Sequence, residues 1–267
     1  MTKGSLPTDG GHLLLTPEER ADLLRREPAA AKYVRRILGS AEYINNRERY
    51  CLWLKGISPA ELRSMPAVME RVEKVRQFRL ASPKAATRRD AATPWLFQED
   101  RQPEQGEFII VPEVSSGNRL YIPISFLKPD VVCTNKLQMI PDATLYHFGV
   151  LTSSVNMAWT RVICGRLKSD YDYSKNIVYN NFPWPEADEA QKAAIEKTAQ
   201  GILDARALYP DSSLADLYDP LTMPPDLLKA HQANDRAVMK AYGFAPGMDE
   251  PEIVAKLMAM HVRLAGK

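Results

Sequence analysis

The chain has 267 residues, 45% of them apolar, enough to bury one large core or two modest ones. No stretch approaches the ~18 uninterrupted apolar residues of a membrane-spanning helix, and the N-terminus lacks the pattern of an export signal, so a cytoplasmic globular protein without a membrane partner is expected. The net charge of +2 hides a division: residues 1–185 carry 26 Lys and Arg against 20 Asp and Glu, and residues 186–267 carry 9 against 13.

After a turn-rich opening, Leu13–Leu15 is apolar and Thr16-Pro17-Glu18-Glu19 has the form of a helix start, predicting a helix over Pro17–Arg26. Pro28 opens a second predicted helix, with Ala31, Val34, Ile37 and Leu38 at helical spacing up to a stop at Gly39. Tyr50–Leu54 reads as a buried strand. Ser58-Pro59-Ala60-Glu61 is a capping box, and a longer helix is predicted over Pro66–Leu80 with Val68, Val72 and Val75 as its buried stripe. Ser82-Pro83 ends it, leaving Lys84 to Arg89 as a loop or short turn.

From Glu107 the period becomes that of strands. Phe108–Val111 and Leu120–Ile124 are predicted as two strands joined through the turn Ser115-Ser116-Gly117-Asn118, with further strands over Val131–Thr134 and Leu137–Ile140. Tyr146 to Leu167, with Leu151, Val155, Trp159 and Val162 at helical spacing, reads as one buried helix ending near Gly165 to Lys168. Phe182-Pro183-Trp184-Pro185 stops regular structure where the charge balance changes, and helices follow at about 187–208, 224–242 and 249–265. The expected fold class is α+β: a small mixed sheet flanked by helices over residues 1–183, then a helical C-terminal unit over residues 184–267.

The residues offer no catalytic centre. Cys51, Cys133 and Cys164 stand far apart and read as buried, reduced thiols; the four histidines are equally scattered, so no metal site is expected. Asn180-Asn181-Phe182-Pro183-Trp184-Pro185 superficially suggests the Asn/Asp-Pro-Pro-aromatic tetrapeptide that holds a flipped base in amino-methyltransferases, but its order is wrong and a rigid connector fits better. There is no GxGxxG or GxxxxGK loop for a cofactor, no Glu-x-Lys or Asp-x-Lys triplet for a metal-dependent nuclease, and no GxSxG elbow.

Positive charge is clustered instead. Arg71, Lys74, Arg76, Arg79, Lys84, Arg88 and Arg89 fall in one run with a single acid, Glu73, and form a pool of candidate phosphate contacts; a solvated helix face is the other reading. Arg166, Lys168, Tyr171, Tyr173 and Lys175 form a second candidate backbone cluster, with a cation-balanced helix C-terminus as its alternative.

Val111–Ile124 (VPEVSSGNRLYIPI), Leu145–Ser154 (LYHFGVLTSS), Cys164–Tyr171 (CGRLKSDY) and Ile177–Pro185 (IVYNNFPWP) together resemble, in order and spacing, the MmeI-like (type IIL) restriction-modification enzymes. The likeness extends to Asp9–Leu15 and Arg49–Leu54 and covers nearly the whole chain. Such enzymes join a nuclease, a helical connector, an adenine-N6 methyltransferase, a target-recognition domain and a small helical C-terminal unit. The resemblance is to the last two parts alone. It implies a DNA sequence-recognition module whose partners are double-stranded DNA and the methyltransferase domain of the parent polypeptide. S-adenosylmethionine and Mg would then bind in parts outside this chain.

The same resemblance places base reading at Ser115, Ser116, Gly117, Asn118 and Arg119. Chemistry agrees, since Arg can reach guanine bidentately and Asn adenine. Otherwise Gly117 and Asn118 merely supply positive φ and Arg119 is a solvated charge. Gly117 has no side chain, so it cannot itself read a base edge. The alternative function is a protein-docking specificity subunit that binds a separate methyltransferase and contacts DNA only in the complex.

Overall fold

A computed structural model of the chain describes residues 1–266. The protein is α+β, 48% helical and 15% strand. Every strand precedes Tyr173, and the three longest helices follow Pro185.

β1 (Thr2–Lys3) and β2 (Leu14–Leu15) lead to α1 (Pro17–Arg26), where Thr16 and Glu19 bond each other's backbone N–H in a capping box. A 3-10 segment, Pro28–Tyr33, runs into β3 (Val34–Leu38), followed by the short α2 (Ser40–Ile44) and β4 (Tyr50–Leu52). The helix expected after Pro28 is thus a 3-10 helix over its first half and a strand over its second. β3 is central in its sheet, between β4 and the later strand Val132–Cys133, so its neighbours Ile37 and Leu38 are buried on opposite faces. Arg35 and Arg36 interrupt the apolar run and leave Val34, Ile37 and Leu38 at a spacing that mimics a helix.

α3 (Pro59–Arg63), α4 (Pro66–Leu80) and α5 (Ala85–Arg89) follow, the last in place of the expected loop. α4 has the expected bounds. Its Val68, Val72 and Val75 pack with Leu13, Leu15, Ile37 and Leu52 in the N-terminal core.

β5 (Phe108–Pro112), β6 (Val114–Ser115), β7 (Ser125–Leu127), β8 (Val132–Cys133) and β9 (Leu137–Pro141) complete most of the sheet structure. Where one small mixed sheet was expected there are three: β2-β4-β3-β8, mixed through the parallel β3–β8 pair; β1-β9-β5-β7, antiparallel; and a three-stranded sheet that includes β6. β5 is buried throughout. Its period of two sends Ile109 and Val111 into the C-terminal core and Phe108 and Ile110 into a middle core with Leu38, Leu137 and Met139.

Leu120–Ile124 is not the predicted strand; the ladder resumes only at Ser125. Pro123 cannot donate to a ladder. Tyr121, Ile122 and Ile124 are nevertheless buried, in the C-terminal core.

The single helix expected over 146–167 is two, α6 (Leu145–Leu151) and α7 (Ser154–Ile163), divided where Ser153 Oγ accepts the Asn156 N–H at 3.2 Å as an N-cap. The chain then turns through β10 (Gly165–Leu167) and β11 (Asp170–Asp172), a hairpin with Lys168 at φ 57°, and a π-helical turn, Lys175–Tyr179.

α8 (Glu189–Ala207), α9 (Leu214–Leu217), α10 (Pro225–Ala241) and α11 (Glu250–Ala265) form the C-terminal helices. They do not enclose a core of their own. Ile195, Ile202, Val238 and Leu257 share one cluster with Phe148, Val155 and Trp159 of α6 and α7. At the α6–α8 contact a Cβ on Gly149 would lie 2.5 Å from Ile195 Cγ2, so only glycine allows that approach. Among the described residues no helix is long and apolar enough to cross a membrane.

Candidate nucleic-acid interface

The third sheet brings together two segments that are about fifty residues apart. β11 pairs antiparallel with both β10 and β6, aligning Tyr171 with Ser115 and Asp172 with Val114. The turn after β6 and the β10–β11 hairpin therefore lie side by side. Gly117 N–H donates to Asp170 Oδ1 at 3.3 Å, and a Cβ on Gly117 would stand 2.3 Å from Ser169 O and 3.5 Å from an Arg166 guanidinium nitrogen. Gly117 is needed for this close approach, not for a positive φ, which neither it nor Asn118 adopts.

Within the turn, Arg119 N–H closes onto Ser116 O at 3.3 Å and Arg119 Nη1 donates to Ser115 Oγ at 3.1 Å. Ser115 is buried, at 2% exposure, and serves as an internal partner. Ser116 and Gly117 are half-buried and Asn118 is exposed. Arg119 is half-buried as well. Burial lowers its pKa from the usual arginine value, against the pull of Asp170 and Asp219, and its Nε has no partner.

On the hairpin, Arg166, Lys168 and Ser169 are exposed. The Arg166 guanidinium lies 4.2 Å over the Tyr171 ring and donates to Arg161 O at 3.2 Å. Tyr171 and Tyr173, expected to hold phosphates, are 1% and 3% exposed and belong to the C-terminal core. They are corrected to packing residues, because an aromatic body in a strand contributes far more by burial than its hydroxyl could in a backbone contact. Lys175 is half-buried near the Met1 amine, whose pKa is lowered by burial and by that lysine's charge.

The α4–α5 cations have dispersed fates. Arg79 is fully buried and donates to five carbonyls: Thr8 (3.0 Å), Asp90 (3.0 Å), Thr93 (3.1 Å), Pro7 (2.8 Å) and Leu96 (2.7 Å). It is a staple between the N-terminal segment and the chain after α5, and its place among the phosphate contacts is corrected accordingly. Arg71 bonds His12 O, Leu14 O and Glu19; Lys74 pairs with Glu70 at 2.8 Å; Arg76 makes a two-pronged pair with Glu73 at 2.8 and 2.9 Å. Arg88 donates to Ser82 O and Pro83 O. Among the described residues, the exposed Lys84 and Arg89 side chains have no protein partner. The run therefore presents less free positive charge than its composition suggests, partly because Glu70 lies one residue outside it.

Asp170 and Ser169 belong to this surface although sequence reading passed over them. Leu167-Lys168-Ser169-Asp170 was an available turn signal, absorbed into a helix end. Among the described residues, no group of three or more His, Cys, Asp or Glu is placed to hold a metal.

The family profile described as "MmeI, target recognition domain" matches residues 1–186. The chain belongs to the MmeI family. The profile "MmeI, C-terminal domain" matches residues 187–267, so the two together cover the chain. DNA methyltransferase A of Bacillus subtilis (strain 168) is 38% identical over 257 residues, covering 95% of this chain and 29% of that protein. The solved structure of the type IIL restriction-modification enzyme MmeI in complex with DNA aligns with TM-score 0.97 and 44% identity over 100% of this chain and 35% of that one. The chain spans about a third of the length of each of these two proteins. It corresponds to the target recognition and C-terminal domains of MmeI. In this MmeI-family module, the turn after β6 and the adjoining hairpin form one exposed edge of the recognition domain.

Proposed function

We propose that the chain is the DNA-reading module of a cytoplasmic, site-specific adenine-N6 DNA methyltransferase with an attached endonuclease, and that catalysis belongs to the rest of that enzyme. The observation that carries this reading is the convergence of the turn Ser116–Arg119 with the hairpin tip Arg166–Ser169 on one exposed edge. The near-identical fold of a DNA-bound MmeI supports it.

Asn118 has the donor-acceptor pair that matches adenine N6 and N7, while Arg166 and Lys168 offer donors for guanine O6 and N7 or for phosphate. Arg119 is largely occupied by Ser115, so it sets the turn's shape and reaches DNA only with its remaining donors. Lys84, Arg88 and Arg89 supply sequence-independent phosphate contacts. On this reading the parent enzyme uses S-adenosylmethionine and a catalytic Mg ion. Both groups would bind in other parts of the parent, against whose methyltransferase domain this module would close around the duplex.

The test is fluorescence-anisotropy titration of a labelled random duplex at several salt concentrations. With about three cations on phosphates, the logarithm of the affinity should fall with the logarithm of salt at a slope of roughly −3. Weak binding with no salt dependence would instead favour a subunit that docks on a separate methyltransferase.

A further inference from the structure

The arm that returns from the turn, Leu120–Ile124, belongs to no strand, and among the described residues no backbone-to-backbone hydrogen bond involves it. It is held by side chains of the C-terminal half. Arg161 of α7 donates to Leu120 O at 3.1 Å and to Glu250 of α11 at 2.5 Å. Tyr121 OH donates to Asp235 Oδ2 of α10 at 2.7 Å, and its ring stacks on His231 at 4.1 Å. Asp235 Oδ1 also accepts the Ser154 N–H at 2.7 Å, tying the acid to the start of α7. Arg206 of α8 donates to Ile124 O at 2.6 Å and Ser125 Oγ at 3.1 Å, and contacts Tyr218.

Three helices thus reach Leu120, Tyr121 and Ile124 directly, and a fourth, α11, braces Arg161 through Glu250. Stability alone does not require this, since a buried polar network is commonly no more stabilising than a well-packed apolar one. What it provides is a single geometry, because a displaced arm leaves the buried Tyr121–Asp235 pair and the half-buried Arg206 contact to Ile124 O unmade. Reading a base edge demands that geometry, as the contacting atoms must be held to about half an ångström.

We infer that α7 and the C-terminal helices together are the positioning frame of the base-reading turn, with Tyr121, Asp235, Arg161 and Glu250 as positioning residues that set sequence discrimination without touching DNA. The inference rests on the proposed base-reading role of the turn and gives the C-terminal helices a part in specificity beyond packing.

The test uses the 267-residue chain with Tyr121→Phe, which keeps the ring and removes the bond to Asp235, and Arg161→Met, which frees Leu120 O and needs no change in the deep core. Asn118→Ala is the control for base reading itself. Hydrogen exchange is measured over residues 116–125 and over α4, and duplexes are selected from a randomised pool. The expected result for both positioning variants is cooperative unfolding, exchange about tenfold faster over 116–125 with α4 unchanged, and discrimination between selected and random duplex reduced about tenfold. Affinity for random duplex stays within about twofold of the parent chain.

Unchanged exchange over 116–125 in both variants overturns the inference. So does unchanged discrimination where Asn118→Ala relaxes the selected motif. If Asn118→Ala leaves the motif intact, the base-reading role fails, and the exchange result alone decides whether the helices hold the arm.

Discussion

Replacing Arg79 separates what this residue does from what its charge suggests. Its guanidinium is fully buried and satisfies five carbonyls on residues 7–8 and 90–96. Arg79→Ala leaves those carbonyls facing a cavity. A buried acceptor left unpaired costs about 1–3 kcal/mol, and with water entering part of the cavity the five carbonyls together put the loss at about 3–5 kcal/mol. For a chain of this size that corresponds to a fall of about 10 °C in Tm. Arg79→Lys should recover little, because an ammonium cannot reproduce a planar fork that spans several acceptors. Urea unfolding followed by tryptophan fluorescence reads the loss, as Trp53 and Trp95 belong to the neighbouring core. Arg79→Gln, kept folded at low temperature, should retain the parent's salt slope in DNA binding, whereas Arg89→Gln should reduce it by about one. A stability loss under about 1 kcal/mol, or a reduced slope with Arg79→Gln, would refute the assignment.

Gly117→Ala places a methyl 2.3 Å from Ser169 O, a backbone atom, and should cost about 1–3 kcal/mol or force the turn away from the hairpin; an unchanged melting curve would contradict that contact. Glu113 is a pH-sensitive tie between β1 and the turn that leads into β9. Burial works against its charge, but bonds from Lys3 at 2.5 Å and Lys136 at 3.0 Å outweigh it and hold the carboxyl below the usual range. A depressed folded-state pKa gives stability that is present above the unfolded value of ~4.3 and lost as pH falls through the folded one. Glu113→Gln should therefore lower stability near neutral pH and flatten its decline below about pH 5. Parallel curves for the two proteins would count against the tie.

Elements with a dense local signature were legible from sequence. α1 and α4 declare themselves by capping residues and by the Val68, Val72, Val75 stripe, and the β5 and β9 strands by dense apolar runs. Residues 34–38 were misread because Arg35 and Arg36 interrupt the apolar run of β3 and leave Val34, Ile37 and Leu38 at helical spacing. Leu120–Ile124 was misread because its apolar side chains answer to helices a hundred residues later, not to a neighbouring strand. That dependence is invisible locally, as is the sharing of one core by helices on both sides of Pro185.

The candidate site divided along the same line. Clusters of residue type were visible, but which cations were already engaged was not: Arg79 and Arg76 look alike in the sequence, yet one is sealed under five carbonyls and the other lies on the surface against Glu73. The alignment of residues 115–119 with 166–170 depends on the β6–β11 pairing, a long-range register with no local signature.

The central claim, that this edge reads DNA, is tested most directly by selecting duplexes from a randomised pool with the parent chain and with Asn118→Ala and Lys168→Ala. The account predicts a defined motif for the parent chain. Each substitution should lose the preference at one or two positions, a change of about 1–3 kcal/mol there, and keep the rest. No enriched motif for the parent chain, or one untouched by both substitutions, would contradict it.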